Sequence, residues 1–462
     1  MEKEDLHNVR SLIEKLKNRL SANKFLSAVL TLVTGQALGQ CIGLITTPIV
    51  SRLYDTAAYG EYAILVSTST IIATVSQAGL ASAIMLPEED EKAKKVFSTA
   101  MYFQILFSLV IIAALFGLKG VVIIFSSEVG YSAMLVAVLI YVLFTNMTNL
   151  IRVYMNRLEM YKVLFWNSLI CALSTLLITI PAGFFHIGFW GFFAAAIVSN
   201  IVCILQMLHR ANPFVRVSLK EVKEIFVEFK KFVVFQLPAN LIATLSQQLP
   251  NQMFSFAYGS AALGGFSMSN KILGIPSKLL ASPVSTVYFK TAVEYTQKGN
   301  NLALLTYRMV RKIMIFGAPF VLVLIVFGEP LFSFVLGEQW WEAGTISAIL
   351  ALQYLLAFCA MSVGYCRVSI GRQEANLGMS IASLVVVALS LLTGLSMFDS
   401  IIGVIGCFAV GSCLVQLIDM TVNFLCMKEC AREYLLFSAA YVLIIGGVGL
   451  ALRYGFWFLM GW

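Results

Sequence analysis

The chain has 462 residues, of which 59% are hydrophobic and 12% charged, with a mean hydropathy of +0.86. A soluble globular domain carries about 25% charged residues, so this composition excludes that class and points to a polytopic membrane protein. The net charge of +8 is distributed over the loops between apolar runs, so no nucleic-acid partner is read from it.

Residues 1–24, "MEKEDLHNVRSLIEKLKNRLSANK", carry six Lys/Arg and four acids and contain no apolar core with a small-residue cleavage site, so no signal peptide is expected. Leu6, Val9, Ile13, Leu16 and Leu20 recur at helical spacing. They suit either an amphipathic helix on the cytoplasmic surface or a frayed polar tail.

Thirteen apolar runs long enough to span a bilayer follow, at about 25–50, 60–86, 95–117, 130–154, 161–184, 188–208, 230–257, 262–289, 305–327, 344–366, 375–397, 401–427 and 434–457. The runs are too long and too evenly apolar for barrel strands, so the expected class is an all-α polytopic membrane protein of about 12–14 helices. With the N-terminus placed in the cytoplasm, 27 of the 32 basic residues fall on the cytoplasmic side or at its interface, a strong positive-inside pattern. Five do not: Arg52, Lys119, Lys271, Lys278 and Arg453. Lys119 falls in a short outer loop and Arg453 near the end of the chain; Arg52, Lys271 and Lys278 need another explanation.

The basic loop 209–231 separates six runs from seven, and the two halves open alike. "LYDTAAYGEY" matches "AYGSAALGGF" at an offset of 204 residues. An even number of helices lies between the copies, which predicts a parallel repeat about an axis along the membrane normal, with a site between the halves. The expected division is a terminal segment 1–24, a first lobe 25–210, a linking loop 211–229, a second lobe 230–427 and an additional helix in 428–462.

Polar stripes support a site there. Gln236, Asn240, Thr244, Gln247 and Asn251 form one helical face; the positions 204 earlier are Leu32, Gln36, Gln40, Gly43 and Thr47. Ser267, Lys271, Gly274, Lys278, Ala281 and Ser285 form another, with Asn270 beside it, and its counterpart runs Ala63, Ser67, Thr70, Thr74, Gln77 and Ala81. Small and polar residues also glue membrane helices, so each stripe is either a packing seam or the wall of a wet cavity. Gln, Asn and Lys together favour the cavity, because a lysine near the bilayer centre costs roughly 2.5–3.5 kcal/mol and such residues almost always face a water-filled cavity or a partner. Gly259, Gly264, Pro276, Pro48 and Pro250 are places where these helices could bend.

The nine cysteines make no CxxC pair and lie mostly in apolar runs, so they are read as packing residues. The three histidines are scattered, and neither a metal site nor a cofactor is expected.

Three segments carry a family resemblance: "LTLVTGQALGQCIGLITTPIVSRLYDTAAYGEYAILVSTSTIIATVSQAGLASAIMLPEEDEKA", "LSQQLPNQMFSFAYGSAALGGFSMSNKILGIPSKLLASPVSTVYF" and "FGEPLFSFVLGEQWWEAG". They resemble bacterial polysaccharide-biosynthesis flippases, the O-antigen and teichuronic-acid exporter type of the multidrug/oligosaccharidyl-lipid/polysaccharide (MOP) superfamily. The resemblance covers about residues 25–375. It implies two six-helix lobes around a central cavity lined by helices 1, 2, 7 and 8, in a bacterial inner membrane. It also implies an undecaprenyl-pyrophosphate-linked oligosaccharide as the substrate, alternating access as the mechanism, and the polymerase and chain-length machinery of the same pathway as partners. The basic cavity role carries over to Arg52, Lys271 and Lys278; the stripes themselves make Gln36, Gln40, Gln77, Asn240, Gln247, Asn251 and Asn270 the candidate polar lining. Family members usually have twelve or fourteen helices, so the thirteenth run departs from the pattern. Cytoplasmic Lys/Arg would hold anionic membrane lipids near the entry.

The rival function is a cation-coupled multidrug exporter of the same superfamily, in which a carboxylate on helix 1 commonly binds the coupling ion. Phe25 to Val50 contains no Asp or Glu. A lysine-bearing cavity suits an anion and repels cationic drugs. The one mid-helix acid, Asp419, is a candidate for H+ or Na+ coupling or for pairing with a polar neighbour. An enzyme is not expected, because no outer loop exceeds about 20 residues or holds a cluster of acids, His or Arg. A scaffold without transport activity would leave the polar stripes unexplained.

Overall fold

The structure is a computed structural model describing residues 24–77, 79–117, 129–230, 232–297, 301–364, 366–370 and 374–460. The predicted amphipathic segment before Lys24 and the loop residues Lys119, Lys231, Lys298 and Arg372 lie outside the described residues. Among the described residues every regular element is helical. In the first half these are α1 (Lys24–Leu53), α2 (Thr56–Gln77), the short α3 (Leu80–Ala83), α4 (Asp90–Gly117), α5 (Tyr131–Arg157), α6 (Tyr161–Phe184) and α7 (Phe189–Leu208). The linking loop is not bare coil: it folds a helix, α8 (Leu219–Glu228). In the second half follow α9 (Leu237–Leu273), α10 (Ser282–Gln297), α11 (Leu302–Leu336), α12 (Trp341–Ser362), the short α13 (Cys366–Ser369), α14 (Glu374–Met397), α15 (Ile401–Met427) and α16 (Ala431–Met460).

Nine of these helices, among the described residues, are long and apolar enough to cross a membrane by composition alone. Among the long helices outside this set are α2 and α9, whose apolar runs are broken by Ser, Thr, Gln and Asn; α10, with 16 residues, is too short. The chain is a multi-pass membrane protein. The thirteenth predicted run forms α16, which crosses α11 and α15.

Local sequence explains the turns that start each half. Between α1 and α2, Asp55 caps the new helix, its Oδ1 accepting the Ala58 amide at 2.8 Å. The residue 204 positions later is Gly259, which makes the same reversal inside α9 with φ 81°, a left-handed conformation that only glycine adopts without strain. The other expected bends behave differently. Gly264 is a contact point, treated below. Pro48 and Pro250 sit inside helices, and the α9–α10 path is interrupted at Gly274 and continues through a π-helical turn, Ser277–Ala281.

Helices α1–α7 pack mainly on one another, as do α9–α16. The halves meet along α2 and α9, the most extensive helix pair in the molecule. Here the backbones touch. A β-carbon on Gly60 would overlap the Ser260 carbonyl, and one on Gly264 would overlap the Thr56 carbonyl. Farther along, Gln252 Nε2 donates to Ser67 and Thr68 hydroxyls at 3.0 Å, and the hydroxyls of Thr74 and Thr244 lie 3.1 Å apart. Such bonds hold helices together where no hydrophobic effect operates between them.

A second junction closes the end of the bundle near the Tyr54 turn. Trp340 Nε1 donates to the Ser51 carbonyl at 2.8 Å, and Ser51 Oγ donates to the Leu336 carbonyl at 2.9 Å. At the opposite end α8 packs Ile225 into a cluster with Phe97, Tyr154 and Met207. Its Ser218–Glu221 capping box and the Lys95–Glu221 ion pair at 2.8 Å fix that helix to α4.

Candidate functional site

A cavity of about 950 Å³ lies between α1, α2, α5, α6 and α7 on one side and the Lys271–Lys278 stretch on the other. It runs from Tyr59 and Thr179, near the Tyr54 turn, to Asn156 and Leu164, near the α5–α6 turn. The first end is shut by aromatic rings. Tyr59 meets Phe192 edge-on at 5.1 Å and Trp340 at 5.4 Å, and Tyr62 stacks on Phe192 at 5.2 Å. The second end is the one at which α1 begins.

Among the described residues three cations line the cavity, Lys271, Lys278 and Arg152, and no carboxylate does. Lys278 sits on the π-helical turn, is exposed to the cavity, and has no hydrogen-bond partner for its ammonium among the described residues. Lys271 donates to the Tyr59 hydroxyl at 2.6 Å, across the junction of the halves. Arg152 is anchored from behind. Its Nε donates to Asn167 Oδ1 at 3.0 Å, and the buried Asn167 is itself held by the Cys203 carbonyl at 3.1 Å and by Gln206 Oε1 at 2.9 Å. That framework presents the guanidinium edge to the cavity, a geometry suited to oxyanions. Gln36 and Gln40 add exposed amides on the α1 face, and Thr46 and Thr175 add hydroxyls. A site of this make-up is suited chemically to an anionic group, through charge, and to a hydroxyl-rich body, through unselective amides.

Of the residues singled out in the sequence, the cavity brings together Lys271, Lys278, Gln36 and Gln40, with Gly43 and Thr47 of the same α1 stripe. The others lie elsewhere. Arg52 donates to the Phe334 carbonyl at 2.9 Å, bracing the end of α1 against α11. Gln77 bonds Asn146 at 2.8 Å in the α2–α5 packing. Asn270 accepts the Tyr354 hydroxyl at 2.8 Å inside the second half. Asn251 bonds Gln248 at 3.1 Å, while Asn240 and Gln247 are exposed outside the cavity lining. Asp419 pairs with Arg367 at 2.6 Å, the polar-neighbour alternative; Arg367 also donates to the Asp419 carbonyl and to Asn376.

The repeat explains why similar stripes reach different surroundings. Thr74 and Thr244 bond across the α2–α9 seam. Exchanging the halves at the offset of 204 gives Lys278 and Gln40, and both face the cavity. One side of the pseudo-axis is zipped, and the other side is open. In the sequence Arg152 reads as interface charge, because it lies near the end of the apolar run 130–154; the signal for a cavity group is that it falls inside that run. Tyr59 and Tyr62 were visible only as members of the repeated segment. Among the described residues no cluster of His, Cys, Asp or Glu could hold a metal.

Comparisons with known proteins agree with this architecture. Residues 49–345 match the model of a family described as polysaccharide biosynthesis protein. The succinoglycan biosynthesis transport protein ExoT of Rhizobium meliloti (strain 1021) is 24% identical over 333 residues, covering 70% of this chain. The chain spans 64% of that relative's length. The fold is similar to the lipid II flippase MurJ in an inward closed conformation, with a TM-score of 0.66 at 14% identity, covering 93% of this chain and 99% of that one. It is also similar to an inward-facing multidrug resistance MATE family transporter of the MOP superfamily, with a TM-score of 0.60 at 14% identity, covering 87% and 95%. The chain is thus a multi-pass membrane protein with the fold of MOP-superfamily transporters, and it belongs to the polysaccharide biosynthesis protein family.

Proposed function

We propose that this protein is a flippase that carries an undecaprenyl-pyrophosphate-linked oligosaccharide from the cytoplasmic to the outer leaflet of a bacterial inner membrane, for export of a cell-surface polysaccharide. The observation that carries the reading is the cavity with Lys271, Lys278 and Arg152 and, among the described residues, no carboxylate in its lining. Charge sorting along the sequence supports a cytoplasmic side for the α1 start, and with it for the Arg152 end of the cavity. The pyrophosphate enters there and meets Arg152 and Lys278, which offset the loss of its hydration. The glycan lies along Gln36, Gln40 and the threonines, and the lipid tail stays in the bilayer. Rocking of the halves then opens the aromatic end.

The reading excludes catalysis, and it makes the enzymes that build and polymerise the glycan the natural partners. The drug-exporter alternative fits this cavity poorly, because three cations disfavour a cationic drug. Coupling of H+ or Na+ at Asp419 would require the Arg367 guanidinium to leave that carboxylate. The test is reconstitution into liposomes with a lipid-linked oligosaccharide and a membrane-impermeant glycan-modifying reagent. Transfer that persists unchanged in Lys278→Ala, or transport of cationic dyes without glycolipid, would refute the proposal.

A further inference from the structure

Lys271 and Lys278 face one cavity but are bonded differently. The Lys278 ammonium is unengaged among the described residues, whereas the Lys271 ammonium is spent on a phenol of the other half. That phenol, Tyr59, is only 8% exposed and stands at the closed end. Its ring is packed between Phe192 of α7 and the fully buried Trp340, and Trp340 is bonded to the last turn of α1. The residue after Tyr59 is Gly60, where the two backbones touch. Lys271 lies two helical turns after Gly264, the other member of that contact. The bond therefore joins a cavity cation on one half to the residue that seals the closed end on the other.

We propose that the Lys271–Tyr59 pair is a latch on the closed end, released when an anion in the cavity draws the Lys271 ammonium away. A phosphate oxyanion is a stronger acceptor for an ammonium than a neutral phenol, because with the phenol the donor alone is charged, whereas the oxyanion adds the attraction of opposite charges. Arrival of the anion thus removes a tie across the halves where they must part, and an empty cavity keeps its far end shut. Tyr59 acts through Lys271 as a positioning residue, and it needs no contact with the substrate. The inference rests on the anion-carrying reading above and adds to it the order of events: binding first, opening second.

The experiment uses the full chain in lipid nanodiscs, with hydrogen–deuterium exchange read over residues 56–62 and 259–266 and inorganic pyrophosphate as the probe. Tyr59→Phe keeps the ring and deletes the acceptor. It is expected to raise exchange in both segments roughly tenfold without any anion, the size of one lost bond to a charged group. Pyrophosphate is expected to raise exchange in the unsubstituted protein and to add little in Tyr59→Phe. Exchange in Tyr59→Phe like that of the unsubstituted chain would overturn the latch, since a role in packing alone is preserved by phenylalanine. An equal response to pyrophosphate with and without the hydroxyl would overturn the release step. Direct titration of pyrophosphate separates the two readings: binding without an exchange response sinks the latch and leaves the flippase, whereas no binding, alike with Lys278 present or replaced by Gln, sinks the anion cavity itself.

Discussion

Gly60 and Gly264 lie against one another on the seam between the halves, each 204 residues from the other and each pressed on the residue that precedes its partner by four. A β-carbon on Gly60 would lie 2.9 Å from the Gly264 amide nitrogen, and one on Gly264 would lie 3.3 Å from that of Gly60. Exchanging the halves maps the contact of Gly60 with Ser260 onto that of Gly264 with Thr56. The local axis of the duplication passes between these two glycines.

A side chain here cannot be absorbed by rotamer change, because the atoms in the way are backbone. Gly264→Ala should therefore force the two helices apart. Overpacking costs typically about 1–3 kcal/mol, so the purified protein should melt several degrees lower. The strain falls on the seam beside the closed end. A membrane-impermeant reagent should then reach the Tyr54 turn more readily than in the unsubstituted protein, and equal access with unchanged melting would show that this contact is loose.

Arg152 gives a second prediction. With its Nε held by Asn167, the guanidinium is set in advance, and Arg152→Ala removes a group that has no acid partner among the described residues. A bond to a charged group is worth about 1.5–3 kcal/mol, so glycolipid transfer should fall by roughly tenfold or more while protein level is unchanged. Arg152→Lys should recover only part, since the fork that meets two phosphate oxygens is lost. Full activity in Arg152→Ala would place the anion elsewhere.

The fate of these groups shows where sequence reading stops. Helix number, the polar faces and the 204-residue repeat are periodic signals, and periodicity survives without coordinates. What periodicity lacks is the partner. The faces of α1 and α9 look alike in the sequence, yet Gln40 lines a cavity while Thr244, its counterpart, is bonded to Thr74. The same amides and hydroxyls line wet walls and close dry seams, so composition cannot separate them. Asp419 is legible as a mid-helix acid, but its partner, Arg367, comes from the α12–α14 connection, where sequence alone reads it as loop charge.

The α8 helix offers a pH test. The Lys95 ammonium and the Ser218 cap together hold the Glu221 carboxyl down at about 2. A depressed carboxylate contributes stability above its unfolded value of about 4.3, and that contribution is lost as pH falls toward the folded value. Proteolysis within residues 212–230 should therefore quicken between roughly pH 4.5 and pH 2. Glu221→Gln should be cut faster at neutral pH and show little of this acid dependence. Because the pair is exposed, salt should weaken it in the same direction.

The last helix, α16, is pinned by charge in an apolar setting. Arg453 pairs with Glu329, which is 2% exposed, and also donates to the Ile325 carbonyl at 2.9 Å; Thr345 donates to the same carboxylate at 2.9 Å. Removing one partner of a buried pair costs about 3–5 kcal/mol, chiefly because the other charge is left without compensation. Arg453→Met should accordingly unfold at markedly lower temperature than the parent. Glu329→Met alone should do the same by stranding the guanidinium. The double substitution should recover most of the loss, since two apolar side chains of similar volume need no pairing in this environment. A double variant as unstable as the sum of the singles would mean that the two residues act independently, and that α16 is held by packing such as Gly449 on Ile325 rather than by the ion pair.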